Sequence, residues 1–368
     1  MPVNVVPVSE ACAMRESNVM LELGFAACLQ TCKASFSESC CTMQLHSLSN
    51  VVVIIIGASS GIGLSAALLL ARSGCKVLAT APSDDAQPNV PDSLIRYLQA
   101  ATLDLAAPSS IDEFIAHHET WIAECEVLAL NAAIVPTSYA RSDAWSEMLE
   151  REVEVSAAVN LHGPLRLLRM ALPLFGNLWR IGLTSSFAHR IASQEGALAV
   201  AKGTSSNRDY FCSLRAYAES KLAMLSAMYA LFDEKDASMN LSRSVELVCF
   251  DPNIVNTSLN ATVVKNAFAN KAMIVQKIIT STGFVRSQSV AAKGLEHMLR
   301  APVDVHHQCG YVFLGGHSVN SLAYLAPSSN ANISLGKEIW HTCTCRSEWK
   351  ATIKSRAGVG DEDHGNED

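Results

Sequence analysis

The chain has 368 residues, 49% of them hydrophobic and 17% charged, enough apolar side chain to bury one substantial core and without the bias of a disordered protein. Its formal charge of −7 and the lack of a dense Lys/Arg cluster argue against nucleic acid as the main partner, because a phosphate backbone is held through concentrated positive charge. Apolar runs such as 51–56 and 66–71 are far shorter than the ~20 residues that span a bilayer, and Glu10, Arg15, Glu16 and Glu22 interrupt the start, so a soluble cytoplasmic protein without a secretory leader or membrane span is expected.

In chain order, residues 1–48 show no clear period and are expected to form a poorly ordered extension. A continuous β-branched run at 51–56, a helical pattern at 63–73 and a short strand at 76–79 make a βαβ unit. Further strands are expected at 101–103, 127–130, 180–184, 245–250 and 311–314, with helices at 112–124, 147–174 and 217–233 between them. Apolar strands separated by crossover helices imply an α/β fold, a doubly wound and mostly parallel sheet flanked by helices, in one main domain over 49–326. Residues 327–368 are expected to form a C-terminal segment that ends in an acidic, disordered tail.

Twelve cysteines are present, but Cys28/Cys32, Cys40/Cys41 and Cys343/Cys345 belong to no four-ligand pattern, and the adjacent pairs His117-His118 and His306-His307 diverge on any helix. No metal is expected.

Gly57-Ala58-Ser59-Ser60-Gly61-Ile62-Gly63 falls where the first strand meets a helix rich in Ala and Leu. Glycines suit such a turn because it needs torsions that a Cβ hinders, close approach to a pyrophosphate, and an open helix N-terminus. Tyr217 is the one tyrosine with a lysine four residues later, Lys221, which puts both on one helix face. A nearby ammonium favours the phenolate, so Tyr217 suits proton exchange with a carbonyl or alcohol oxygen.

The glycine spacing, together with Ser186 upstream of Tyr217-Ala-Glu-Ser-Lys221, resembles the short-chain dehydrogenase/reductase family, a likeness extending over about residues 50–325. The resemblance implies an NAD(P)-dependent oxidoreductase that moves hydride between nicotinamide and a carbonyl or secondary alcohol of an apolar small molecule. It assigns Ser186, or alternatively Ser185, to polarising the substrate oxygen, Tyr217 to proton exchange, Lys221 to ribose and tyrosine, and Asn160 to a water relay. It places the cofactor on Gly57, Ser59, Ser60, Gly61, Ile62, Gly63, Asp104, Asn131, Ala132, Tyr217, Lys221, Pro252, Val255 and Thr257, and dimers or tetramers are frequent in such proteins.

Several positions depart from the family pattern. Ile56 stands where Thr is usual, Leu130 and Ala133 replace an Asn and a Gly, and Asn253 replaces a Gly in Pro252-Asn253-Ile254-Val255-Asn256-Thr257. Two apolar residues at 56 and 130 can replace a polar link by packing, and Asn tolerates positive φ. Neither an acid at 81 nor an Arg at 82 marks the cofactor, so NADP is expected over NAD by family habit, with Asp84 or Asp85 able to oppose a 2′-phosphate and Thr80 or Ser83 to serve it. Thirty-one positions separate Ser186 from Tyr217, a spacing similar to that of retinol-dehydrogenase-like members, and the insert 194–213 with the segment 258–284 would shape an apolar lid. The competing expectation is a catalytically silent NAD(P)-binding sensor or scaffold.

Overall fold

The computed structural model describes residues 49–204, 211–233, 245–253, 255, 286–300, 309–314, 322–324 and 330–344. The N-terminal extension, Thr257, the expected lid at 258–284, His306-His307 and the acidic tail lie outside the described residues.

Along the chain run β1 (Val52–Ile56), α1 (Gly61–Arg72), β2 (Lys76–Ala81), β3 (Leu98–Thr102), α2 (Pro108–His117), α3 (Glu119–Glu124), β4 (Val127–Leu130) and α4 (Asp143–Leu149). There follow α5 (Val155–Ala157), a π-helical turn (Ala158–His162), α6 (Gly163–Ala171), β5 (Arg180–Thr184), α7 (Gln194–Lys202) and α8 (Ser213–Leu231). The described chain closes with β6 (Glu246–Asp251), α9 (Gln288–Arg300), β7 (Cys309–Leu314), β8 (Leu322–Tyr324) and α10 (Ile333–Thr344).

The strands form one eight-stranded sheet in the order β3-β2-β1-β4-β5-β6-β7-β8, parallel throughout except for the antiparallel β7–β8 edge pair. Period-two geometry explains why β1 reads as a continuous apolar run: Ile54 and Ile56 enter the core on one face, Val53 and Ile55 the core on the other. The first face packs Trp145, Leu165 and Leu222 from the middle of the chain; the second packs Ala66 and Leu70 of α1 with Leu295 and Met298 of α9. Because the chain winds outward from β1 to β3 and then restarts at β4 on the opposite side, the strand ends diverge between β1 and β4, where such sheets open a crevice.

Three of the differences from expectation have local reasons. β3 begins at Leu98 rather than 101, because its pairing with β2 starts at Val77↔Leu98 and includes the exposed, polar Gln99. The helix expected over 112–124 is two, broken at His118 (φ −121, ψ 27). The helix expected over 147–174 is divided: α4 stops at Glu150 in the left-handed region (φ 51), and the Glu154 carboxylate accepts from the Ser156 and Ala157 amides to start the next.

Candidate active site

The C-terminal ends of the strands wall a cleft of about 620 Å³. Gly57, Ser59, Ser60, Gly61, Ile62, Asp104, Asn131, Ala132, Ser186, Tyr217, Lys221, Pro252 and Val255 all line it. Gly63 and Asn160 stand one layer behind this wall.

The glycine turn is built by close approach. Gly57 has φ +87, and a Cβ there would lie 2.5 Å from the Ala132 Cα; a Cβ on Gly63 would lie 2.1 Å from the Gly57 carbonyl oxygen. Three polar contacts hold the turn: the Gly57 amide donates to Thr80 Oγ1 (3.0 Å), Asn131 Nδ2 donates to the Gly57 carbonyl (2.7 Å), and Thr184 Oγ1 donates to Asn131 Oδ1 (3.1 Å). The sequence points to Thr80 only as a group that could serve a 2′-phosphate and does not point to Thr184; both hydroxyls hold the turn because β2 and β5 end in register beside β1 and β4. Ile56 and Leu130 are cross-strand partners in the β1–β4 ladder and both are buried, so packing joins these segments where a polar link would otherwise stand. The N-terminus of α1 has no side-chain cap and no acidic residue in its first turn, leaving its amides and dipole to face the cleft. This cradle fits the pyrophosphate of a dinucleotide.

At the opposite end, Tyr217 and Lys221 project from α8, which is buried along most of its length. A side-chain hydrogen bond joins Tyr217 to Ser186. Lys221 Nζ donates to the Thr184 carbonyl (3.0 Å) and lies 5.8 Å from the centre of the Tyr217 ring. Burial pushes the Tyr217 phenol up to about 12, against the Ser186 hydrogen bond and with the nearby Asp251 charge. Burial also brings the Lys221 ammonium down to about 8, with Asp251 opposing the shift. Ser186 further caps the 3-10 turn Phe187–Ile191 by accepting from the Ala188 amide, and its carbonyl receives the Nδ1 hydrogen of the buried His189 (2.6 Å). Ser185, the other serine of the pair, also lines the cleft, and its buried hydroxyl has no partner among the described residues.

Asn160 sits in the π-helical turn with its side chain fully engaged. Oδ1 accepts from the Ile134 amide (2.8 Å), and Nδ2 donates to the Ile134 carbonyl (2.9 Å) and to Ser220 Oγ (3.0 Å). It thereby ties the cleft wall after β4 to the helix bearing Tyr217 and Lys221. Asp104 forms a local turn, accepting from the Ala106 amide (2.9 Å), while facing the cleft. Asn253 adopts φ 60, the left-handed conformation that its place in a glycine position demands. Among the described residues, no group of three His, Cys, Asp or Glu is placed to hold a metal, and no helix is long and apolar enough to cross a membrane.

A family model described as short chain dehydrogenase matches residues 51–267. A dehydrogenase/reductase SDR family protein 7-like of Drosophila melanogaster is 25% identical over 71% of this chain and 73% of its own. A 3-oxoacyl-acyl-carrier-protein reductase of Salmonella typhimurium is 28% identical over 28% of this chain, and short chain dehydrogenase ausX of Aspergillus calidoustus is 31% identical over 35%. These two alignments span 44% and 48% of the relatives' lengths, under half in each case. Among solved structures, an uncharacterized protein from Mycobacterium Paratuberculosis superposes with a TM-score of 0.55 at 19% identity, covering 82% of this chain and 94% of that one. A short chain dehydrogenases/reductase from Saccharomyces cerevisiae gives 0.52 at 18%, covering 72% and 96%. At such identities the superpositions speak to the fold.

Proposed function

Because the chain belongs to the short-chain dehydrogenase family, we propose that it catalyses reversible hydride transfer between a nicotinamide dinucleotide and a carbonyl or secondary alcohol of an apolar small molecule. The observation supporting this most directly is the convergence of Ser186, Tyr217 and Lys221, distant in sequence, on one wall of the cleft that also holds the glycine cradle. The turn 57–63, Asp104, Asn131-Ala132, Lys221, Pro252 and Val255 would hold the cofactor, with Thr257 in the same stretch of sequence. When bound, that cofactor supplies or accepts the hydride.

The chain's own residues do the rest. Ser186 Oγ donates to the substrate oxygen and holds it beside Tyr217. The Tyr217 phenol, neutral at physiological pH, gives its proton to the oxygen in reduction and takes it back in oxidation. The Lys221 ammonium stabilises the phenolate left behind. Asn160 is a positioning residue, fixing the Ile134 backbone against α8 through its own amide. On the substrate side, Val135, Leu214 and Tyr217 form an apolar cluster packed by Ala133, Ile191 and Cys212, which favours an apolar substrate.

A Tyr217→Phe variant tests the reading. It should bind the reduced cofactor as the parent chain does and lose about 100-fold or more of turnover on any carbonyl substrate found in a panel. Unchanged turnover would remove Tyr217 from the chemistry, and cofactor binding with no oxidation across a broad panel would favour a silent sensor.

A further inference from the structure

The adenosine end of the cleft lies where β1, β2 and β3 stop, walled by Thr80, Ala81, Pro82, Leu103 and Asp104. The three strand-end segments here, 57–64, 80–88 and 102–107, contain no Lys, Arg or His, but they contain Asp84, Asp85 and Asp104. Lys221 is the one cation lining the cleft among the described residues. It is anchored on the Thr184 carbonyl of β5, three strands from β2, or about 14 Å at ordinary strand spacing. The cleft lining beside Ala81 and Pro82 therefore carries no cation.

The segment after β2 is also held in place. Asp84 Oδ1 accepts from Thr102 Oγ1 of β3 and from Gln87 Nε2 (3.0 Å), and Gln87 Nε2 bridges back to Thr102 Oγ1 (3.0 Å). This ring holds the segment just past the cleft wall at Pro82 against the end of β3. Thr80, one of the two hydroxyls able to serve a phosphate, is 1% exposed and already accepts from the Gly57 amide. A 2′-phosphate would bring up to two negative charges to an end of the cleft whose one charged lining residue is Asp104, whereas a ribose hydroxyl is neutral.

Resting on the cofactor reading above, we propose that this end of the cleft selects a dinucleotide with a free ribose 2′-hydroxyl, making the chain NAD-dependent rather than NADP-dependent. The habit of the family points to NADP, but no cleft-lining side chain at this end can neutralise the phosphate that distinguishes it.

The test is direct binding, independent of turnover. The full chain is titrated separately with NADH and NADPH, following nicotinamide fluorescence. Because a missing charge-assisted hydrogen bond weakens binding by about tenfold or more, NADH should bind at least that much more tightly. Pro82→Arg should then raise NADPH affinity about tenfold and shift the NADPH-to-NADH affinity ratio toward NADPH. NADPH binding as tight as NADH in the parent chain, or no gain for NADPH in the folded variant, would overturn the selectivity and leave the redox reading standing. Binding of neither nucleotide would overturn both.

Discussion

At Tyr217 and Lys221, burial acts on groups of opposite charge type: it penalises the phenolate, lifting the phenol to about 12, and it penalises the ammonium, lowering the lysine to about 8. The tyrosine thus keeps its proton over the whole neutral range, while the lysine loses its charge within reach of experiment. Since kcat/KM reports the free enzyme, its value for carbonyl reduction should be level below about pH 7 and fall through about 8 as Lys221 deprotonates. A Lys221→Met variant should lose about 100-fold and show no inflection there, as a pH profile of both proteins would reveal. Gly57 is constrained in a different way. Ala at this position must adopt φ near +87 and place its Cβ against the Ala132 backbone, so Gly57→Ala should cost about 1–3 kcal/mol of stability in urea unfolding and abolish cofactor binding.

Elements differ in how plainly the sequence announces them. β4 and β5 are legible at their observed bounds: β4 is a short, uninterrupted apolar run of a strand buried on both faces, and β5 keeps buried Ile181 and Leu183 between Arg180 and Thr184. β8 has three residues and no pattern to offer, and α7 lies within an insert whose helical character is completed by tertiary contact. The order of glycine turn, serine, tyrosine and lysine made the candidate site legible. The Thr80–Gly57 and Thr184–Asn131 contacts were hidden, because a hydroxyl's partner depends on strand register. α10 was hidden for the same kind of reason: its buried Leu335, Ile339 and Trp340 find their partners across α8, α7 and α6, and only folding brings those surfaces together. Its closest approach is at Gly336, where a Cβ would fall 1.9 Å from the Ser226 carbonyl oxygen of α8. The flanking Lys337–Asp233 (3.1 Å) and Lys202–Glu338 (2.8 Å) pairs are partly exposed and add little. Backbone cannot yield as a side-chain tip can, so Gly336→Ala should lower stability by about 1–3 kcal/mol, whereas Lys337→Ala should change it by less than about 1 kcal/mol in the same urea titration.

For the molecule as a whole, a sheet covered on both faces leaves its strand ends as the place where polar groups can converge, and it hides other polar groups deep in the helical layers. His162 is the clearest case. It is fully buried in the π-helical turn, neither ring nitrogen has a partner among the described residues, and its ring packs beside Trp145, with ring centres 5.6 Å apart. Burial, reinforced by the Arg151 charge, pushes it down to about 3; burial likewise pushes His189 down to about 4, against the Ser186 hydrogen bond. Unfolded histidine takes up a proton near its ordinary value of about 6.5, and these folded ones do so only in far stronger acid. Between those limits the unfolded state binds more protons, so the stability present above about pH 6.5 is lost progressively as pH falls toward 4. Glu154 and Glu219, raised chiefly by burial, act in the opposite sense, their contribution declining as pH rises through their folded values. The contribution of His162 is therefore isolated by difference. His162→Phe keeps the ring beside Trp145 while removing two unpartnered nitrogens and a titrating group, so it should raise the urea midpoint at about pH 7.5 and raise it further near pH 5. Midpoints that fall equally with pH in the parent and the variant would show that protonation of His162 takes no part in acid unfolding.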